Sequence, residues 1–276
     1  MALTRVLITV KTYPTLSTKY EELVCTAGFR EDGTWIRIYP VQFRKKSYNE
    51  QYSKYEWIEI DLVKNKEDFR PESFRPISHD SEIKIVGEIK ADGGSWNERR
   101  QIVLKKVYRN LTELIAEAKN KKIGTSLAVF KPTAIKRVLV EPTEREWNKD
   151  KLSTLNQLNI FESANSKRSV VIRKLPYKFS YIFIDEAGRE ATLMIEDWEL
   201  GQLYWNCLRK YEGPDRETKA CKDVVSKYYD DFVKTKDIHL YLGTSKQFHT
   251  LGLNPFMVIG TFHPKPVEFD PQGKLF

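Results

Sequence analysis

Short runs in which apolar and polar residues alternate dominate the first half of the chain. Val6–Val10 is apolar and β-branched, and Glu21–Arg30 alternates apolar side chains with small or polar ones. An Asp-Gly turn, which is a strong hairpin signal, leads from this run into Trp35–Tyr39. Glu56–Val63 and Glu82–Ile89 have the same period of two. The pattern therefore predicts a series of short β-strands.

The rest of the chain continues this pattern, with helices inserted at a few places. Between Trp96 and Ala118, apolar residues recur at intervals of three and four, as on the buried face of a helix. The spacing predicts two further helices, at Asp197–Tyr211 and Lys219–Phe232. Six further strands are predicted, at Leu127–Phe130, Ala134–Val140, Tyr177–Ile184, Glu190–Ile195, Ile238–Leu242 and Phe256–Phe262.

This mixture predicts a β-dominated α+β fold of two small β-barrels with inserted helices. Many short strands with few helices are typical of partly open barrels, whereas a doubly wound parallel sheet needs a helix between successive strands. Both halves share one broad order, namely strand, turn, strand, helix and closing strand. We predict a first barrel with a basic helix at 1–145, a connector at 146–168 and a second barrel with a helical insertion at 169–276.

The composition excludes several classes of protein. The 276 residues include 14 Tyr, 14 Phe and 6 Trp, far more aromatic side chains than a disordered chain carries. No apolar run approaches the roughly 20 residues that span a bilayer, so no membrane partner is expected. The first residues are typical of a strand rather than a signal peptide, and three cysteines cannot all pair. We therefore expect a cytoplasmic protein.

Positive charge is concentrated in one part of the chain. The formal net charge is +8, and residues 84–137 alone hold 13 basic and 5 acidic side chains. Clustered cations attract polyanions, because neutralising phosphates releases their condensed counterions. Lysine-rich surfaces also keep proteins soluble, so the charge by itself leaves both interpretations open.

Aromatic and basic residues occur together in the first half. On the predicted strand at 35–39, Trp35, Arg37 and Tyr39 share the face opposite Ile36 and Ile38. Single-stranded nucleic acid needs rings for its bases and cations for its backbone, so an open face of this kind would hold a strand. In the alternative interpretation, the two rings pack as ordinary core. The residues expected to bind nucleic acid are Trp35, Arg37, Tyr39, Arg44, Lys45, Lys46, Tyr48, Trp96, Arg99, Arg100, Lys105 and Lys106.

Carboxylates in the second half suggest a different kind of site. Asp185, Glu186, Glu196, Asp197 and Glu199 lie at the ends of predicted strands, where carboxylates can hold Mg²⁺ for phosphodiester cleavage. The alternative interpretation is structural, because Asp185 and Glu186 border a turn and Asp197 is well placed as a helix N-cap. Asp185, Glu186 and Asp197 are therefore the candidate catalytic residues, with the structural interpretation open beside them.

Other cofactors have no motif in the sequence. The cysteines do not have metal-ligand spacing, and neither a phosphate-binding loop nor a dinucleotide-binding glycine motif occurs. We expect no resident metal and no cofactor, with Mg²⁺ required only if the carboxylates form a nuclease site.

Two parts of the chain resemble a known family. The first is Cys-Thr-Ala-Gly at 25–28, followed by a turn and Gly-Thr-Trp-Ile-Arg at 33–37. The second is the strand–turn–strand run at 179–197 with the two closing strands at 240–244 and 256–260. Both are similar to the dual OB-fold domain proteins of bacterial conflict and defence systems. The resemblance implies two OB-like barrels and nucleic-acid handling, because OB barrels present a groove for single strands.

These observations predict a nucleic-acid-binding protein of a bacterial defence or conflict system, with DNA or RNA as its partner. One alternative is an enzyme that acts on nucleic acid, a metal-dependent nuclease or base-processing protein that uses the acidic residues of the second half. A second alternative is a protein-interaction subunit of a defence complex, whose partners are other proteins.

Overall fold

The computed structural model describes residues 2–17, 21–78, 80–148 and 172–267. Within these residues the strands are β1 Ala2–Lys11, β2 Thr15–Ser17, β3 Glu21–Phe29, β4 Trp35–Val41, β5 Glu56–Lys64, β6 Ser73–Pro76, β7 Lys84–Glu88, β8 Val107–Tyr108, β9 Leu127–Phe130, β10 Ala134–Pro142, β11 Tyr177–Ile184, β12 Glu190–Met194, β13 His239–Thr244 and β14 Phe256–Phe262. The α-helices are α1 Asn97–Val103, α2 Leu111–Lys119, α3 Trp198–Leu208, α4 Arg216–Val225 and α5 Phe232–Thr235. The prediction of a β-dominated fold with few helices is confirmed.

Five strands of the first half close into a barrel. Strand β1 pairs with both β3 and β5, and the order β1-β3-β4-β6-β5 returns to β1. The β4–β6 pair is parallel, and the other pairs of the barrel are antiparallel. The barrel interior is filled by the inward-facing apolar residues of the alternating runs, among them Val6, Ile8, Val24, Ile36, Ile38, Ile58, Ile60 and Leu62.

A glycine permits the close approach of two barrel strands. Gly28 on β3 lies opposite Ile8 on β1, and a side chain at this position would collide with the backbone carbonyl of Leu7. Any larger residue would therefore push β3 away from β1.

The second half contains two small sheets that share a core with the helices. One sheet has the order β10-β11-β12 and the other β14-β13-β9-β8, and a parallel bridge from Ile195 to Val258 links them. Helices α3 and α4 cover this core. Strands β9 and β10, which the predicted first barrel (1–145) included, pair with β13 and β11 instead. The predicted boundary is therefore too late, and most of the predicted connector (146–168) lies outside the described residues.

The outer wall of the barrel is covered by the second half. Leu7, Val10, Ala27 and Phe29 face outward from β1 and β3 and pack in one buried cluster with residues of the other half: Leu127, Val129, Tyr241, Ile259 and Phe262. Burying apolar side chains on both faces of β1 and β3 stabilises the contact between the halves. It also closes the wall that would otherwise face solvent.

Two smaller findings concern thiols and membranes. Cys25, Cys207 and Cys221 are all free. In the described ranges, no helix combines the length and the apolar character that a bilayer crossing requires.

Candidate nucleic-acid interface

The face predicted to be open on β4 is largely covered. Trp35 is half-buried, with its ring centroid 4.0 Å from that of Phe29 and 5.7 Å from that of Tyr241. Arg37 is only 2% exposed, and Tyr39 is half-buried. The prediction of an open face is therefore wrong at Arg37, because strands of the second half pack over this part of β4.

Arg37 lies in a buried polar network between the two halves. Its guanidinium donates to Ser126 Oγ at 2.6 Å, to the Ser126 carbonyl at 3.1 Å and to the Thr244 carbonyl at 3.4 Å. Arg70 donates to the same Thr244 carbonyl and pairs with Asp68 at 2.5 Å. Burial alone would raise the pKa of Asp68, but hydrogen bonds from Arg70 and Ser73 and the Arg70 charge lower it to about 2. The network fixes the loop at 65–72 against the second half.

The residues at the start of the basic helix that the sequence predicts to bind nucleic acid make contacts inside the protein. The Trp96 ring packs against the rings of Tyr55 and Phe262, at 5.3 and 5.2 Å between centroids. The buried Arg99 guanidinium stacks 3.8 Å from the Tyr55 centroid and donates to a backbone carbonyl. Arg100 pairs with Asp237 at 2.8 Å. Trp96 and Arg100 therefore join the first half to the second, and Arg99 packs against first-half residues, so none of the three faces a solvent-exposed strand.

The predicted basic residues after β4 are at the surface, but at one end of the barrel only. Arg44 and Lys45 are exposed, and Tyr48 is 89% exposed. Lys46 donates to the carbonyl of Ser81 and pairs with Glu50. The length of β4, seven residues or roughly 23 Å of strand, separates this group from Lys105, which contacts the turn before β4. The structure does not combine the two groups into one groove.

At the other end of the barrel, cations from separate segments converge. Lys105 donates from Nζ to the Asp32 carbonyl in the β3–β4 turn at 3.1 Å. The Arg30 guanidinium and the Lys64 ammonium lie 4.7 and 5.0 Å from the Phe74 ring centroid. Lys64 also donates to the carbonyls of Arg70 and Pro71 in the loop after β5. These contacts place two cations, Arg30 and Lys64, around the Phe74 ring at the mouth of the barrel, and Lys105 lies at the neighbouring turn.

The segment around α2 extends this positive surface. Lys106 lies 3.7 Å from the Glu117 carboxylate and 4.6 Å from the Tyr108 ring centroid. The hydrogen bond to Tyr108 is the main cause that raises the pKa of Lys106, so its charge is retained. Thr125 donates to the same carboxylate at 2.9 Å, which fixes the loop after α2 beside Lys106.

A glycine in that loop brings its lysines to the same end. Gly124 has φ of +62°, and a side chain there would lie 3.3 Å from the Pro71 ring. Because Gly124 adopts this left-handed conformation, the loop that carries Lys121 and Lys122 can pack against the loop after β5.

We name the combined surface the basic end. Its cations are Arg30, Lys64, Lys66, Lys105, Lys106, Lys121 and Lys122. Asp32, Glu67, Asp68, Glu72 and Glu117 lie among them, so the seven cations outnumber the carboxylates by two.

The sequence matches two family models that meet at this surface. Residues 2–105 match the domain of unknown function DUF8758, and residues 108–276 match the domain of unknown function DUF8757. The second match covers more than half of the chain. The chain belongs to the DUF8757 family. No curated protein matches the sequence. The DUF8757 region supplies Lys121 and Lys122 of the basic end, and the DUF8758 region supplies Arg30, Lys64 and Lys105, so the two regions form this surface together.

The carboxylates of the DUF8757 region are not brought together. Asp185 accepts hydrogen bonds from the backbone N–H groups of Leu111, Ala187 and Arg189, at 3.0, 3.0 and 2.8 Å. It therefore closes the β11–β12 turn, as the structural interpretation expects, and also binds the first N–H of α2, whose N-cap is Asn110. Glu186 in that turn is exposed.

Asp197 lies at the far end of the same hairpin. The register of β11 and β12 separates it from Asp185 by at least five residues, or roughly 16 Å. Asp197 accepts a hydrogen bond from the Glu199 N–H at 3.2 Å, so the N-cap interpretation is confirmed. Its carboxylate also binds the Lys54 ammonium at 3.0 Å. Among the residues with a described placement, no three His, Cys, Asp or Glu side chains group as metal ligands.

Glu196 in the DUF8757 region makes the stability depend on pH. Burial raises the pKa of Glu196 to about 7, above its unfolded value of about 4.3. The folded state therefore binds the Glu196 proton more tightly than the unfolded state does. The stability that this protonation contributes is lost as pH rises from about 4 to 7. We expect Glu196→Gln to be more stable than wild type by about 1 kcal/mol or less at pH 5 and by about 2–4 kcal/mol at pH 8.

Urea unfolding of both proteins at pH 5 and pH 8 measures this difference. The exposed Glu186→Gln change is the control and should behave as wild type at both pH values. An advantage of Glu196→Gln that is equal at pH 5 and pH 8 would show that the carboxyl titrates normally.

Several residues of the basic end have no strong sequence signal. Lys121 and Lys122 belong to the positively charged stretch of the sequence, but Arg30 and Lys64 are single cations at the ends of strands. The pairing of β5 with β6 sets Lys64 opposite Phe74, and the pairing of β4 with both β3 and β6 brings Arg30 to the same ring.

Proposed function

We propose that the protein binds nucleic acid through the basic end. The observation that carries this proposal is the convergence of seven cations from four chain segments on one end of the barrel. Polyphosphate strands bind such surfaces because each neutralised phosphate releases counterions. The rings of Phe74 and Tyr108 fix three of the cations at the surface, which reduces the entropy lost when phosphates bind.

We further propose that both halves are OB-like barrels. An OB barrel has five strands in the spatial order 1-2-3-5-4-1, with strands 3 and 5 parallel. In the first half, β1, β3, β4, β5 and β6 follow this order, with β4 and β6 as the parallel pair.

The second half fits the same order when β9 and β10 are counted as one bent first strand. Strands β11, β12, β13 and β14 then follow as the second to fifth, with antiparallel β9–β13 and β13–β14 pairs. The parallel contact of the third and fifth strands is the Ile195–Val258 bridge, reinforced by a 2.7 Å hydrogen bond from the Glu196 N–H to the Val258 carbonyl. The helices α3 to α5 fall between strands 3 and 4. This arrangement supports the resemblance to dual OB-fold proteins.

The location of the binding surface follows from the way the halves pack. OB barrels commonly bind single strands on strands 2 and 3, but here the outer faces of β3 and β4 are buried against the second half. We therefore assign binding to the end of the barrel. A cytoplasmic location and a role in bacterial defence belong to the same proposal and rest on the resemblance.

Salt-dependent binding is the test of this proposal. Fluorescence anisotropy with labelled 30-mers of single- and double-stranded DNA and RNA should give a log affinity that falls with log salt, with a slope of about −4 to −6 for five to seven phosphate contacts. Lys121→Ala with Lys122→Ala should weaken binding about tenfold and reduce the magnitude of the slope by about 1.5.

The matched control removes two exposed lysines from another surface. Lys84 and Lys90 lie on and just after β7, which pairs with the first residues of β5, away from the basic end. Lys84→Ala with Lys90→Ala should leave both affinity and slope near wild type. Affinity that is independent of salt, or equal losses in the two double variants, would contradict binding at the basic end.

A further inference from the structure

An exposed apolar loop adjoins the basic end. In the loop at 245–255, between β13 and β14, Phe248, Leu251 and Leu253 are 51%, 78% and 90% exposed. Phe69, in the loop after β5, is 59% exposed beside them. Exposing large apolar side chains to water costs free energy, and a group of them at the surface marks a site that binds a ligand or another macromolecule.

Hydrogen bonds hold these side chains outward. The buried His249 bonds through Nδ1 to Thr244 Oγ1 at 2.8 Å and packs its ring 5.4 Å from that of Phe69. The Gly252 N–H donates to the Phe248 carbonyl at 3.0 Å, and a side chain at Gly252 would lie 3.1 Å from that oxygen. One hydrogen bond thus fixes the loop to the end of β13, and another fixes its own backbone. Leu251 and Leu253 therefore project into solvent from a backbone of defined conformation.

The loop is continuous with the basic end. Arg70, whose carbonyl accepts from Lys64, donates to the Thr244 carbonyl immediately before the loop. The backbone of Ala118, in the last turn of α2 and just before Lys121 and Lys122, lies close to the His249 ring. The residues at 245–255 include one lysine and no acid. Nothing in the loop therefore repels a polyanion held at the basic end.

We propose that this apolar loop contacts the unstacked bases of a single-stranded nucleic acid whose backbone lies on the basic end. The inference rests on the proposed function and names its ligand. Phenylalanine rings provide faces on which bases stack, and leucines cover the apolar faces of bases. A paired duplex hides these faces, so the loop gains contacts only from unpaired strands.

The test compares a loop variant with a charge variant. Leu251→Ser with Leu253→Ser should weaken binding to a single-stranded 30-mer about tenfold, leave the salt slope unchanged and leave duplex binding as in wild type. Lys121→Ala with Lys122→Ala should instead reduce the slope for both ligands. Leu3→Ser, at another exposed apolar residue, is the matched control and should bind as wild type. Thermal unfolding checks that each variant is folded.

The outcomes separate the inference from the proposed function. If wild type binds in a salt-dependent manner and the loop variant binds equally well, the inference fails and the proposed function stands. If wild type binds no nucleic acid in a salt-dependent manner, both fail. If sedimentation shows wild type to be a dimer that Leu251→Ser with Leu253→Ser dissociates, and strand affinity is unaffected, the loop belongs to an interface between copies and the inference is overturned.

Discussion

Replacing Lys54 with methionine should destabilise the protein by about 3–5 kcal/mol, because it leaves a buried carboxylate without its counterion. The Lys54 ammonium lies 3.0 and 3.1 Å from the two carboxylate oxygens of Asp197 and 2.8 Å from Glu199 Oε2. The Asp197 side chain is fully buried, and Lys54 is nearly so. Burial opposes the charged form of Lys54, but the two carboxylates raise its pKa, so the ammonium is retained.

Urea unfolding at pH 7 measures this effect, and a double variant tests its cause. Lys54→Met combined with Asp197→Asn removes both buried charges and keeps an amide oxygen to cap α3. The double variant should recover more than half of the lost stability. The exposed Glu199→Gln change should cost less than about 1 kcal/mol, because solvent screens its charge. A loss below about 1 kcal/mol for Lys54→Met alone would mean that water enters the site and solvates Asp197.

The alternation of residues predicts the strands of this fold better than it predicts what covers them. The period of two at 35–39 correctly assigns Ile36 and Ile38 to the barrel interior. It cannot tell that the opposite face is also buried, because the atoms that satisfy Arg37 come from Ser126 and Thr244, far along the chain. An arginine between two aromatic residues is therefore typical both of a binding face and of a buried contact between halves.

The sequence also cannot tell which cations of the positive stretch remain at the surface, for a similar reason. Charge counts along the sequence identify Lys105, Lys106, Lys121 and Lys122 as a positive stretch, and the structure keeps all four at the surface. The same counts include Arg99 and Arg100, but these two cations already have partners inside the protein. Arg99 stacks on the Tyr55 ring, and Arg100 pairs with Asp237. Composition records how many cations there are, but only tertiary contacts decide which of them are available to a ligand.

Carboxylates show where local reasoning succeeds. The turn at 185–189 and the N-cap at Asp197 depend on residues within a few positions of each other, so the structural interpretation follows from the sequence. The partner of Asp197, by contrast, is Lys54 from the other half. Nothing in the local pattern distinguishes Lys54 from an ordinary surface lysine.

Arg37→Met should destabilise the protein by about 3–5 kcal/mol without changing the affinity of the folded molecules for nucleic acid. The guanidinium is buried and donates to two backbone carbonyls and a serine hydroxyl of the second half, so its removal leaves buried acceptors with fewer donors. It also withdraws positive charge from beside Glu72 and Asp68, which lie in the same network.

This variant distinguishes the two interpretations of the β4 face. If Arg37 contacts a nucleic-acid strand, Arg37→Met should weaken binding and barely alter the unfolding midpoint. If it joins the halves, the unfolding midpoint falls and the affinity, corrected for the folded fraction, stays at the wild-type value. Arg37→Lys keeps the charge but loses the fork of donors that reaches Ser126 and Thr244 together, so it should recover only part of the stability. We expect the second pattern, because the second half buries the Arg37 guanidinium, whereas the cations of the basic end stay at the surface.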